Sequence, residues 1–347
     1  MQLKIMNPKV IFDLQLNRRV TVIRGESASG KTWMHEIVRT LDTVSFVDCE
    51  RKVMVAPQVV DGKEKETLSL YAGYLFLIDE DTRYALDKRY ADAVMENDIW
   101  VVITAREVIN YPYSADEVYV LKTSGKVKRL SKYYTESVNK NRYRDKILTE
   151  DSGGGKTFFT RLGYETKSAG GKDNIRNHLE DDMLVVFDKA AIGYVYDRLY
   201  TGAAVLGTLD LVEPESFEWV LLHSEIFSKL PVVGSILQSP EEHGANNYKT
   251  WENFFTQSLC DLLSRYQGVN YSKGTLSRCF TDDCCVKQKP CALNKTGKGK
   301  LQKLAEVMGV SYLLKNIDAL RIRELLPESV ADAYSDTELI EKFSHLL

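Results

Sequence analysis

The residues with the most definite chemistry are Gly25-Glu26-Ser27-Ala28-Ser29-Gly30-Lys31-Thr32, two glycines with four residues between them and then lysine and threonine. Glycines at these positions let the backbone curl so that successive N–H groups point inward at a polyphosphate, and a helix starting at Lys31 presents its positive end to the same place. Lys31 can reach the β and γ phosphates, and the Thr32 hydroxyl can hold Mg²⁺. Gly25, Ser29, Gly30, Lys31 and Thr32 are therefore the candidate contacts for a nucleoside polyphosphate. A chance glycine-rich turn is the competing explanation. It is disfavoured because the β-branched run Val20-Thr21-Val22-Ile23 precedes the loop and a helical stretch follows it.

A second G-K-T, at Gly155-Lys156-Thr157, invites the same reading. The spacing refutes it, because the first glycine of such a loop would fall on Glu150, a carboxylate where phosphate must approach the backbone. Four further residues with metal-binding chemistry are Cys279, Cys284, Cys285 and Cys291. Four thiolates can make a tetrahedral Zn²⁺ site. Adjacent Cys284 and Cys285 seldom both ligate one ion without strain, so reduced cysteines in an ordered loop are the favoured reading. Lys287, Lys289, Lys295, Lys298, Lys300 and Lys303 cluster nearby, with Tyr271 and Lys273 before them, and suit either nucleic-acid phosphates or a solvated basic face.

Strands and helices must position these groups. Strand signals fall at 44–48, 74–78 and 99–104, with helical spacing over 81–97 and a hairpin formed by 117–121 and 126–130 about Thr123-Ser124-Gly125. This alternation predicts an α/β domain with a mostly parallel sheet. A polar, tyrosine-rich stretch at 131–146 marks a boundary. A second α/β series has strands at 146–150, 183–187 and 203–212, and the chain then turns mainly helical. Trp251, Phe254, Phe255, Leu259, Leu262 and Leu263 recur at core spacing. His35 and His178 are lone histidines on helical segments and carry no assigned role.

The first half resembles the P-loop ATPases of the additional-strand class. The run Tyr74-Leu75-Phe76-Leu77-Ile78-Asp79-Glu80 has the form of their Walker B strand. The resemblance implies that Asp79 lies on the Mg²⁺ side and that Glu80 orients or deprotonates the attacking water. It also implies a γ-phosphate sensor at Thr104 and charge stabilisation by Arg106; for both, an ordinary strand-end residue is the competing reading. No Leu-Ser-Gly-Gly signature of ABC enzymes is present.

The segment 146–225 resembles a Toprim domain, the metal-dependent fold of topoisomerases, primases and the overcoming-lysogenisation-defect (OLD) nucleases. Lys146-Ile147-Leu148-Thr149-Glu150 corresponds to the strand ending in the family's glutamate. Ser168-Ala169-Gly170-Gly171 corresponds to the glycine turn, and Met183-Leu184-Val185-Val186-Phe187-Asp188 to the strand ending at the acidic motif. The resemblance implies Mg²⁺ held by Glu150 and Asp188, with Glu218 or Glu215 as a third carboxylate, and catalytic roles for Glu150 and Asp188. The family's D-x-D is here Asp188-Lys189-Ala190, without the second aspartate. Both a metal-dependent nuclease and a non-cleaving fold therefore stay open.

The expected layout is a P-loop ATPase domain at 1–135, a Toprim-like α/β domain at 136–230 and a mainly helical extension with the Cys-rich loop at 231–347. It is similar to the OLD-type ATPase-nucleases of phage defence. That resemblance implies ATP and Mg²⁺ as cofactors, nucleic acid as substrate or ligand, and a protein partner or homo-oligomer. The rival from another class is a nucleotide-switched regulatory protein; a small-molecule phosphotransferase is disfavoured by the adjacent Asp79-Glu80. With 347 residues, 44% of them hydrophobic, the chain can bury a sizeable core, and a net charge of −3 gives no global basic surplus for nucleic acid. No run of 18 apolar residues and no leader is read, so a cytoplasmic protein without membrane contact is expected, and its six cysteines are expected reduced or metal-bound.

Overall fold

The computed structural model describes residues 1–25, 29–41, 43–106, 111, 115–132, 146–150, 152, 156, 160, 165–189, 210–212, 215–223, 230–267 and 272–273. The chain divides into two compact units, the first including Met1–Thr135 and Asn246–Thr250, the second including Glu136–Lys189 and the chain from Trp251. Both are built on sheets that are parallel wholly or in most pairings. Among the described residues no helix is long and apolar enough to cross a membrane.

Unit 1 contains a nine-stranded sheet of order β4-β1-β2-β9-β8-β3-β7-β6-β5. Its strands are β1 Gln2–Met6, β2 Ile11–Gln15, β3 Val20–Arg24, β4 Phe46–Cys49, β5 Lys52–Val55, β6 Tyr74–Asp79, β7 Trp100–Ala105, β8 Ala115–Ser124 and β9 Val127–Lys132. β3 is buried at every position, as expected of a central parallel strand covered on both faces. It pairs in parallel with β7 and β8, and β7 separates it from β6. The helix α1, Lys31–Thr40, buries Met34, Ile37 and Val38 at helical spacing against Leu3, Ile5, Phe12 and Leu14 of the first two strands. It stops at Leu41, whose left-handed backbone lets its N–H bond Ile37 O at 2.9 Å.

Several elements differ from the sequence expectation. The strand expected at 44–48 forms as Phe46–Cys49, and it lies at the sheet edge, antiparallel to β1. The helix expected over 81–97 is broken. A 3-10 turn at Arg83–Leu86 precedes the helix Lys88–Glu96, because Asp87 leaves the helical conformation and its carboxylate caps Arg89 N–H at 2.8 Å. With the short helix α2 at Glu64–Leu68, Lys88–Glu96 is α3. The hairpin forms as β8 and β9, closed by Gly125 at φ 62°.

Arg19 fixes the far end of α3. Its guanidinium donates to the carbonyls of Val94, Met95 and Ile99 at 3.1 to 3.2 Å and to Asn246 O at 3.2 Å. Carbonyls at a helix C-terminus lack intrahelical donors, so a buried guanidinium answers several at once.

Unit 2 holds β10 Lys146–Thr149, β11 Glu165–Ser168, β12 Met183–Val186 and β13 Asp210–Val212, all parallel, in the order β11-β10-β12-β13. β10 and β12 are the apolar centre, with Ile147, Leu148 and all of β12 buried. The helices α4 Phe217–Leu222, α5 Pro231–Gln238 and α6 Trp251–Gln267 follow. α6 buries Phe254, Phe255, Leu259 and Leu262, and packs on α4.

Candidate functional site

Because β3, β7 and β6 run in parallel, their carboxyl ends share one edge of the sheet, where ligands of open α/β sheets bind. Register brings Arg24 beside Ala105 and Asp79 beside Thr104. The ladder continues past the strand ends through Gly25 N–H to Ala105 O and Glu80 N–H to Thr104 O, both 3.0 Å. Gly25, Glu80 and Arg106 consequently leave the sheet side by side.

Gly30 heads α1 with φ 96°, a left-handed conformation that L side chains rarely adopt. A Cβ there would come within 2.9 Å of Lys128 Cε, and one at Gly25 within 2.9 Å of Ser29 Oγ. Lys31 is buried and its Nζ donates to Gly25 O and, at 3.1 Å, to Ser29 Oγ. Burial lowers the Lys31 pKa, and Glu80 and Asp79 oppose the shift. Thr32, in the first turn of α1, is exposed. Close-packed glycines, a buried lysine and a strand-end carboxylate pair fit a nucleoside polyphosphate with Mg²⁺, which Thr32 and Asp79 would hold.

Glu80 is engaged by Arg106, whose Nε pairs with Oε1 at 3.0 Å while its backbone N–H bonds Oε2. Thr104 is fully buried and meets His35 Nε2 at 2.8 Å. His35 Nε2 also lies 3.9 Å from Asp79 Oδ2, and Nδ1 is buried with no hydrogen-bond partner. A proton on Nε2 faces both the hydroxyl and the carboxylate, so the neutral Nε2–H tautomer suits this position. Protonating Nδ1 would create an unpaired buried donor. Accordingly burial pushes the His35 pKa down to about 4, although Asp79 pulls it up and Arg39 adds to the lowering.

Sequence reasoning gave His35 no role and did not consider Lys128. The signal for His35 was its position four residues after Lys31, on the same helix face. Lys128 had no local signal, because its Nζ reaches Ser29 O, at 2.8 Å, across 99 residues.

In unit 2 the order β11-β10-β12-β13 reverses direction between β10 and β12, a topological switch point. Glu150 follows β10, and Asp188 follows β12 by two residues. Glu150 Oε2 accepts the Asp188 N–H at 3.0 Å, and Glu150 N–H bonds Val186 O at 3.1 Å. Gly170 and Gly171, both at positive φ, turn the chain after β11 so that Gly171 N–H reaches Glu150 O at 2.9 Å.

The third carboxylate is placed differently. Glu218, on α4, is buried, and burial raises its pKa against its own backbone N–H, Lys273 and Thr256. Glu215 pairs with Lys189 at 3.2 Å, both side chains largely buried. Among the described residues no group of three or more His, Cys, Asp or Glu is arranged to hold a metal ion. The set Glu150, Asp188 and Glu218 thus does not assemble there as a metal centre. Gly153, Gly154, Gly155, Cys279, Cys284, Cys285 and Cys291 lie outside the described residues.

Comparison with protein-family models, with curated proteins and with solved structures returns no match.

Proposed function

We propose that unit 1 is a P-loop ATPase, binding ATP with Mg²⁺ through Gly25, Ser29, Gly30, Lys31, Thr32 and Asp79, with Glu80 as the group that orients the attacking water. The observation that carries this reading is the meeting of Lys31, Asp79 and Glu80 at the carboxyl edge of β3, β7 and β6, with β7 interposed between the other two. Lys31 supplies positive charge to the phosphates, and backbone N–H groups at the start of α1 add to it. His35 holds Thr104 in place beside Asp79. The Glu80–Arg106 pair keeps the carboxylate oriented at the edge of the site.

Unit 2 is read as a Toprim-like domain facing nucleic acid, with Glu150 and Asp188 at its switch point. Together the two units resemble an OLD-type ATPase-nuclease of phage defence acting in the cytoplasm. Glu150 and the Asp188 backbone are joined in unit 2 by the Asp188 N–H to Glu150 Oε2 bond at 3.0 Å. A second reading, a nucleotide-switched regulatory protein whose Toprim-like unit binds without cutting, is favoured by one observation. Lys189, inside the expected D-x-D, is an internal cation paired to Glu215.

The test compares wild type with Lys31→Ala, Glu80→Gln and Glu150→Ala for ATP binding, ATP hydrolysis and cleavage of plasmid, linear DNA and RNA with Mg²⁺ or Mn²⁺. Lys31→Ala is expected to lose nucleotide binding, and Glu80→Gln to keep binding while losing turnover by about 10²-fold or more. Equal ATP binding by wild type and Lys31→Ala would overturn the P-loop reading. Cleavage that persists in Glu150→Ala would remove that residue from the nuclease site, and no cleavage by wild type would support the regulatory reading.

A further inference from the structure

β8 runs on beyond β3. Arg24, the last residue of β3, pairs with Val120, whereas β8 continues to Ser124 before turning into β9. Lys128 pairs with Thr123, so it stands about 10 Å past the end of β3, at the level of the turn that leads into α1. It shares a strand face with Leu130, which packs against the cluster containing Met34, Ile37 and Val38 of α1. That face directs the ammonium to Ser29 O at 2.8 Å and to Thr123 Oγ1 at 3.1 Å, and brings the side chain across Gly30. The ammonium is half-buried, and among the described residues its hydrogen bonds go to neutral oxygens.

We propose that Lys128 is a second phosphate-binding cation, delivered by the β8–β9 hairpin to the polyphosphate that Lys31 holds. The proposal rests on the P-loop reading of unit 1 and extends it by one residue. An ammonium already bound to the loop carbonyl has one donor left over, since –NH₃⁺ carries three and the two oxygens use two. Delivery from a hairpin also couples phosphate binding to the strand pair β8–β9. A charge-assisted contact of this kind strengthens binding to the more highly charged ligand.

ATP and inorganic tripolyphosphate binding, measured by calorimetry on the full chain, tests it with Lys128→Met, Lys128→Arg, Lys122→Ala and Lys31→Ala. Lys122 is an exposed lysine on the same hairpin, so its variant controls for loss of one positive charge. Lys128→Met is expected to bind both ligands about tenfold more weakly. Lys128→Arg is expected to restore most of the affinity and Lys122→Ala to leave it unchanged. Hydrogen exchange of the peptide spanning Ser29 to Met34, without nucleotide, is expected to match wild type. Wild-type affinity in Lys128→Met would overturn the proposal, as would an affinity loss accompanied by faster exchange in the nucleotide-free loop, the mark of a purely structural tether. If Lys31→Ala also binds like wild type, the P-loop reading fails. Loss in Lys31→Ala alone sinks only the role of Lys128.

Discussion

His35 makes the first unit less stable in mild acid, and the size of the effect follows from its surroundings. The ring is buried, its Nε2 is used by Thr104, and its Nδ1 has no acceptor to receive a second proton. Burial lowers its pKa from 6.5 to about 4. An unfolded chain therefore binds a proton at His35 between these values while the folded unit does not, so stability falls as pH drops through that window and is flat above it. The full preference for the neutral ring corresponds to about 3 kcal/mol, of which about 2 kcal/mol is lost between about pH 7.5 and about pH 5. His35→Gln keeps a donor near Thr104 and cannot titrate, so the difference between wild type and variant isolates this group from the carboxylates. Urea-dependent hydrogen exchange of peptides covering β3 and β7, in metal-free buffer, reads unit 1 alone. Relative to His35→Gln, the wild-type midpoint is expected to fall by about 1 M urea over that pH range. A difference that does not change with pH would refute the argument that burial holds the ring neutral.

Two further outcomes concern the same unit. Gly30→Ala places a Cβ in a left-handed backbone 2.9 Å from Lys128 Cε, so it is expected to cost about 1–2 kcal/mol and to weaken ATP binding by displacing the lysine. Both follow from urea-dependent exchange and calorimetry. Arg19→Met removes the donor shared by the Val94, Met95 and Ile99 carbonyls; Val94 O keeps the Asn97 and Ile99 N–H groups, so the expected cost is about 2 kcal/mol, read as faster exchange at the end of α3.

The turn from β3 into α1 was legible because its signals are local. Two glycines, a lysine and a threonine at fixed spacing specify backbone shape and charge without reference to the rest of the chain. Glu150 and Asp188 were legible for a related reason, since each ends an apolar run, and strand ends of a parallel sheet share an edge. β1 and β2 carried a readable alternation, Leu3 with Ile5 and Phe12 with Leu14, all buried. They were not read as strands, because this stretch drew attention only as a candidate leader. The position of Asp87 as a helix start was also readable, from the aspartate before Lys88, yet the apolar spacing across 81–97 masked it. What no local pattern could give was Lys128 over Gly30 or Arg19 against Asn246. Those contacts depend on strand register and on chain returning from more than two hundred residues away.

That return matters to anyone dissecting the protein. Asn246–Thr250 belongs to unit 1, where Asn246 O receives Arg19 and Lys249 pairs with Asp92 at 3.0 Å. A fragment ended after Thr135 carries the turn between β3 and α1 but strips the Arg19 guanidinium of one acceptor and α3 of a cationic neighbour. Unit 1 is discontinuous in sequence, so a single cut after Thr135 does not reproduce it.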